Sequence, residues 1–177
     1  MASGYSLGDL LSSSQKNSIV QNHIQVGSVF LTNLTESDGI YLNPGEKEKP
    51  KFLIIVGFDN HGCAVGVVLI NSKINLNVEE NKGENQYNQQ YPLKAAKYPA
   101  LLKWDSYVNC NHIFPINQAR IIDSCKHIAD IDPEDLLFIL ESCIESPIIE
   151  PKKKKRFNLI AELEKLSDQI NDYSDIS

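Results

Sequence analysis

No apolar run in this chain of 177 residues approaches the roughly 18–20 residues that a membrane-spanning helix needs, so no membrane partner is expected. Met1-Ala2-Ser3-Gly4-Tyr5 lacks the basic and apolar regions of a secretory signal, and a cytoplasmic protein is expected. Cysteine is sparse: Cys63, Cys110, Cys125 and Cys143, with no CxxC pair, which points to reduced thiols rather than a disulfide framework. There is no glycine-rich phosphate loop and no metal-ligand cluster, so neither cofactor nor metal is expected. Nothing resembles a nucleophile elbow: His112 lies six residues from Ser106 in an extended stretch, which sets serine-hydrolase chemistry aside. Aromatics make up 8% of the chain, with a single tryptophan; Trp104, Tyr107 and Phe114 are available as stacking platforms if exposed, but a lone tryptophan in a small domain is expected in the core.

Histidine stands two residues from each of the first three cysteines (His61–Cys63, Cys110–His112, Cys125–His127). On a strand such a pair shares a face, but structural zinc sites favour other spacings, and packing is the expected role. The net charge of -6 excludes a polyanion binder acting through its overall charge. The charge is uneven, however. Lys152-Lys153-Lys154-Lys155-Arg156 is a solid basic block between acidic stretches.

The pattern predicts an N-terminal arm or short helix over 1–25 and a β domain over 26–144. A basic linker over 145–156 and a C-terminal helix and tail over 157–177 complete the organisation. Gly27–Leu31 reads as the first strand, and Thr35–Glu48 carries turn signals of a long loop. Phe52–Phe58 is a buried strand, followed by the hairpin turn Asp59-Asn60-His61-Gly62 and a returning strand, Cys63–Ile70. Asn75–Gln90 is polar and without period, an excursion from the domain. Trp104–Val108 and His112–Ile116 are short strands. Asp132-Pro133-Glu134-Asp135 starts a helix running to about Cys143. Ile160, Leu163, Leu166 and Ile170 form the stripe of a second helix, Phe157–Asn171. The fold class is mainly β with C-terminal helices (α+β), and several short strands with few long helices suggest a small barrel.

Four local stretches, in order, carry a likeness: Gly27-Ser28-Val29-Phe30-Leu31, Lys49-Pro50-Lys51-Phe52-Leu53-Ile54-Ile55, Val67-Val68-Leu69-Ile70-Asn71-Ser72, and Asp105-Ser106-Tyr107-Val108 through Ile113. Together they resemble the MazF/PemK-type toxins over roughly residues 26–144. The resemblance implies an SH3-like barrel with one packed helix and an appended C-terminal helix. It also implies a homodimer, an antitoxin protein partner, and metal-independent cleavage of single-stranded RNA by attack of a 2′-hydroxyl on the adjacent phosphate. Such chemistry needs a base for the hydroxyl proton, a cation for the phosphorane and an acid for the leaving oxygen. By resemblance the catalytic candidates are Lys49, standing where the family has arginine, Asn71, standing where it has threonine, and Ser72. Lysine supplies charge without a bidentate fork, and asparagine an amide without a hydroxyl. Lys47, Lys51 and Ser106 are the RNA-binding candidates. Lysines at alternate positions of a strand share a face and suit a phosphate backbone, but they also serve as solubility gatekeepers. The alternative function is a non-catalytic module binding nucleic acid or protein, or a subunit of a defence complex.

Overall fold

The computed structural model describes residues 24–73 and 89–174. The expected arm over 1–25 and the excursion over 75–90 lie almost wholly outside the described residues. The α+β class holds. Seven strands form one sheet: β1 (Ser28–Leu34), β2 (Lys49–Phe58), β3 (Ala64–Asn71), β4 (Gln90–Leu93), β5 (Ser106–Asn109), β6 (Phe114–Asn117) and β7 (Lys126–Asp130). The helices are α1 (Gln118–Ser124), α2 (Pro133–Glu145), α3 (Pro151–Arg156) and α4 (Leu159–Ser174). Strand pairing is antiparallel throughout in the order β4-β5-β3-β2-β1-β7, with β6 on the first half of β3.

The expected SH3-like barrel does not form. β4 and β7 remain the two ends of the strand order, and the sheet is open. The physical reason is that both of its faces are covered, where a barrel has a single interior. On one face Val29, Ile54, Val56, Val68, Ile70 and Val108 pack with residues of α2 and α4. On the other, Phe30, Leu53, Ile55, Val67 and Leu69 pack with Ile40 and Leu42 of the long loop, Phe114, Ile116 and Ile121. This explains why β2 is apolar without alternation from Leu53 to Val56, all of them fully buried.

β2 and β3 are joined by the expected hairpin, whose turn is held by Asp59: its Oδ1 accepts from the backbone N–H of Cys63 (2.9 Å) and Ala64 (3.2 Å). Further along, Gly57 and Gly66 face each other across the pair. A Cβ at Gly66 would lie 2.7 Å from Phe157 Cγ, and one at Gly57 would lie 2.0 Å from the Phe157 carbonyl oxygen. The two glycines form the seat of Phe157, which is fully buried and fixes the start of α4 on the sheet. Asn158, at φ 53°, makes the turn between α3 and α4 in the left-handed region that asparagine tolerates. Its amide donates to Phe58 O (3.1 Å) and Asn60 Oδ1 (2.9 Å).

Asp132 caps α2 as its sequence implies, its side chain accepting from Glu134 N at 3.0 Å, with proline following. Residues 151–156, expected as linker, are helical instead, and two of the five basic side chains have structural partners. Lys154 Nζ donates to Ile144 O (2.5 Å) and Ser146 O (2.7 Å) at the C-terminal end of α2, where a cation is favoured. Arg156 pairs with Asp59 at 3.6 Å and lies over the Phe157 ring. In α4, Leu159 is fully buried while Ile160 is exposed, so the buried stripe starts one residue earlier than expected. α1 and β7 were not expected at all. With α1 and α3 added, helix takes a larger share than a mainly-β reading implies.

Candidate functional site

The start of β2 meets the end of β3 at one end of the sheet, and the candidate residues gather there. β2 begins at Lys49 rather than Phe52, with Pro50 opposite Asn33 of β1 and beyond the last partner that β3 supplies. A residue without an N–H is tolerated there because its β3-facing side has no ladder bond to make. Alternation sends Lys49 and Lys51 to the face carrying Leu53 and Ile55, and Phe52 to the helix-covered face. The β2–β3 register, with Phe52 opposite Ile70, brings Lys51 opposite Asn71, and Lys51 Nζ donates to Asn71 Oδ1 at 2.9 Å. Thr32 lies across from Lys51 on β1, and Tyr107 across from Asn71 on β5. A polar row of hydroxyl, amine, amide and phenol thus crosses four strands.

Lys51 is half-buried, and burial pushes its amine below the usual lysine value of 10.5, with the neighbouring Lys49 charge acting in the same direction. A lysine lowered in this way gives up its proton more readily than an exposed one.

Beside this row opens a cleft of about 320 Å³, lined by Lys49, Pro50, Lys51, Phe52, Ile70 and Ser72, with residues 101–104 and Ser106 closing it. Phe52, Ile70, Leu101 and Leu102 give it an apolar floor. Lys103 borders it, Lys49 and Lys51 lie along its edge at the start of β2 with their side chains alternating to the face opposite that floor, and among the described residues no acidic side chain lines it. Trp104 contradicts the core expectation: it is 60% exposed and stands in this cleft. Its position follows from its neighbours. Ser106, buried in β5, donates its hydroxyl to Trp104 O at 3.0 Å, and Asp105 accepts from Lys94 Nζ (2.8 Å) and Ala95 N (2.9 Å).

Of the residues singled out from sequence, Lys49, Lys51, Ser72 and Ser106 come together in the cleft lining. Asn71 joins them through Lys51 but faces the other side of the sheet from Ser72, as successive strand positions do. Lys47 is exposed in the preceding loop and is not part of the lining. The Ser106 hydroxyl is engaged with backbone and holds Trp104 in place. Sequence reasoning missed Lys103 and placed Trp104, a stacking candidate, in the core. The available signal was a Lys-Trp pair just before the Asp105-Ser106 turn.

A larger hollow of about 560 Å³ lies among Val26, Phe58, Pro133, Leu136 and Leu166, but Asp130 and Glu162 line it beside Lys165, the one cation among its described lining residues. Its charge does not favour an anionic ligand. Among the described residues no three metal-ligating side chains come together: Cys110 and Cys125 are buried, His112 packs on Phe114, and His127 meets Asp130 at 3.2 Å. No described helix is long and apolar enough to cross a membrane.

Comparison with protein-family models and with curated proteins gives no match. The chemistry of the cleft therefore rests on its own residues.

Proposed function

We propose that this protein binds single-stranded RNA in the Lys49–Lys51–Lys103 cleft and cleaves it there without a metal. The observation that carries the reading is a cleft with three lysines, an apolar floor and an exposed indole at one end of the sheet, with no acid among the described lining residues. Amines meet phosphates, and an aromatic surface meets bases that a single strand leaves unpaired. Once deprotonated, the Lys51 amine accepts the 2′-hydroxyl proton as that oxygen attacks the adjacent phosphorus. The bond from phosphorus to the 5′-oxygen breaks, and the Lys49 ammonium donates a proton to it. The products are a 2′,3′-cyclic phosphate and a 5′-hydroxyl. Lys103 offsets charge on the phosphorane, Asn71 orients Lys51, and Ser72, on the other face of the strand, binds a flanking phosphate. A homodimer and an antitoxin partner belong to the same reading.

A second reading, RNA binding without cleavage, is favoured by one feature: among the described residues no histidine, arginine or carboxylate lines the cleft, which leaves proton transfer there to amines alone. Incubation with a long single-stranded RNA in EDTA separates the two. Cleavage gives discrete fragments with cyclic-phosphate ends, absent with a folded Lys49→Ala, Lys51→Ala variant, and the rate climbs with pH as Lys51 loses its proton. RNA that is bound but left intact supports the binding module. RNA neither bound nor cut removes both.

A further inference from the structure

The chain has a single tryptophan, and among the described residues it is one of four large apolar side chains standing exposed. Exposure of an indole is unfavourable unless something covers it. The backbone on both sides of Trp104 is fixed. Before it, Leu101 and Leu102 are buried, their N–H groups donating to Tyr98 O at 3.0 and 2.8 Å. After it, Asp105 is held by Lys94 and Ala95, and the buried Ser106 hydroxyl holds the Trp104 carbonyl. The ring therefore stands out from an anchored turn, in a cleft with an apolar floor and three lysines along it.

An aromatic surface anchored in this way binds a flat partner without the cost of ordering its own backbone. The partner that the surrounding charge fits is a base carried between phosphates. Resting on the reading that the cleft takes RNA, the geometry points to Trp104 as the residue on which one unpaired nucleobase stacks, with Ser106 as its positioning residue. The volume of about 320 Å³ is at the small end of ligand sites, suited to a single base and its sugar. In a double helix the bases are stacked on one another, and the site selects strands whose base is free to leave.

The test uses the native indole as reporter. A 2′-O-methylated single-stranded oligonucleotide, which cannot be cut by the proposed chemistry, is titrated into the full chain. Trp104 emission and the polarisation of a label on the oligonucleotide are read separately. Quenching that tracks polarisation is expected. Trp104→Ala should weaken binding about 5- to 150-fold, the range for removal of one base stack, and Trp104→Phe by less. The salt dependence should stay unchanged, because every phosphate keeps its lysine. A duplex of the same sequence should quench far less. Ser106→Ala, with an unchanged circular dichroism spectrum, should speed the decay of indole anisotropy before any oligonucleotide is added; an unchanged decay overturns its positioning role. Polarisation that rises while emission stays constant overturns stacking at Trp104 but leaves RNA binding intact. No change in either signal removes RNA from the cleft altogether and turns the exposed indole toward a protein partner.

Discussion

Replacing Gly66 by alanine puts a Cβ 2.7 Å from Phe157 Cγ, 3.0 Å from Phe157 Cδ1 and 3.0 Å from Ile113 Cγ2. Two of these three neighbours belong to the Phe157 ring, so the strain should depend on that ring being there. Overpacking of this kind costs about 1–3 kcal/mol, and Phe157→Ala, which empties a fully buried site, about 3–5 kcal/mol. With the ring gone, the added methyl enters the space it left, and only the Ile113 side chain still presses on it. The double variant should therefore lose less than the sum of the singles, by a coupling of about 1–3 kcal/mol. Gly57→Ala supplies the control. Its Cβ would meet the Phe157 carbonyl oxygen at 2.0 Å, a backbone atom that Phe157→Ala leaves in place, so Phe157→Ala should relieve Gly57→Ala less than it relieves Gly66→Ala. The assay is urea unfolding followed by far-ultraviolet circular dichroism, with an osmolyte in every sample to keep the weakest variant folded. Equal cost of Gly66→Ala in both backgrounds, or relief of Gly57→Ala by Phe157→Ala as large as that of Gly66→Ala, would refute the seating of Phe157 on the glycine pair.

Asp135 accepts from Tyr91 Oη at 2.8 Å, from Tyr98 Oη and from Lys97 at 3.0 Å, joining α2 to β4 and the loop after it. Burial alone would raise its carboxyl, but these partners outweigh burial and hold it below the usual 3.8. Asp135→Asn should cost about 1.5–3 kcal/mol above pH 4, and because the folded carboxyl is the stronger acid, wild type and variant should converge as the pH falls through its lowered value; a constant gap in urea midpoints across that range would contradict this. Lys154→Met removes the donors to Ile144 O and Ser146 O and should lower stability by about 0.5–1.5 kcal/mol, whereas an unchanged midpoint would make the block a purely solvated one. Lys51 binds its proton less tightly folded than unfolded, since burial and then Lys49 lower its amine; stability should rise with pH between the folded value and about 10.4, where the unfolded chain holds more protons. Thermal midpoints of Lys51→Met should lack that alkaline rise.

The elements governed by local chemistry were legible in the sequence. Phe52–Phe58 is a buried strand because both sheet faces are covered there, Asp132-Pro133 starts a helix because cap and proline act within one turn, and Asp59–Gly62 turns because the Asp59 carboxylate gathers the next N–H groups. Closure was not legible. The same sequence of short strands suits a barrel or an open sheet, and the difference lies in whether β4 and β7 pair, a long-range property. β7, Lys126–Asp130, has no buried residue and no clear alternation, and α1 spans just seven residues behind its Asn117 cap. The lysines of α3 hid a helix because the partners of Lys154 lie in another element. At the candidate site, the resemblance rather than spacing singled out Lys49, Asn71 and Ser72; the β2–β3 register brings them with Lys51 to one end of the sheet, Asn71 and Ser72 on opposite faces. Trp104 was misplaced because its exposure depends on the anchoring of its neighbours rather than on its own hydrophobicity.

The most direct test of the cleft as the RNA-binding surface is the affinity for an uncleavable single-stranded oligonucleotide, measured against salt, for wild type and for the Lys49→Ala, Lys51→Ala variant. If these lysines hold the phosphates, the variant binds more weakly and its slope of log affinity on log salt is shallower by about 0.7 for each phosphate that the lysines no longer neutralise. Equal affinity and equal slope in a folded variant would contradict it and place any RNA elsewhere on the molecule.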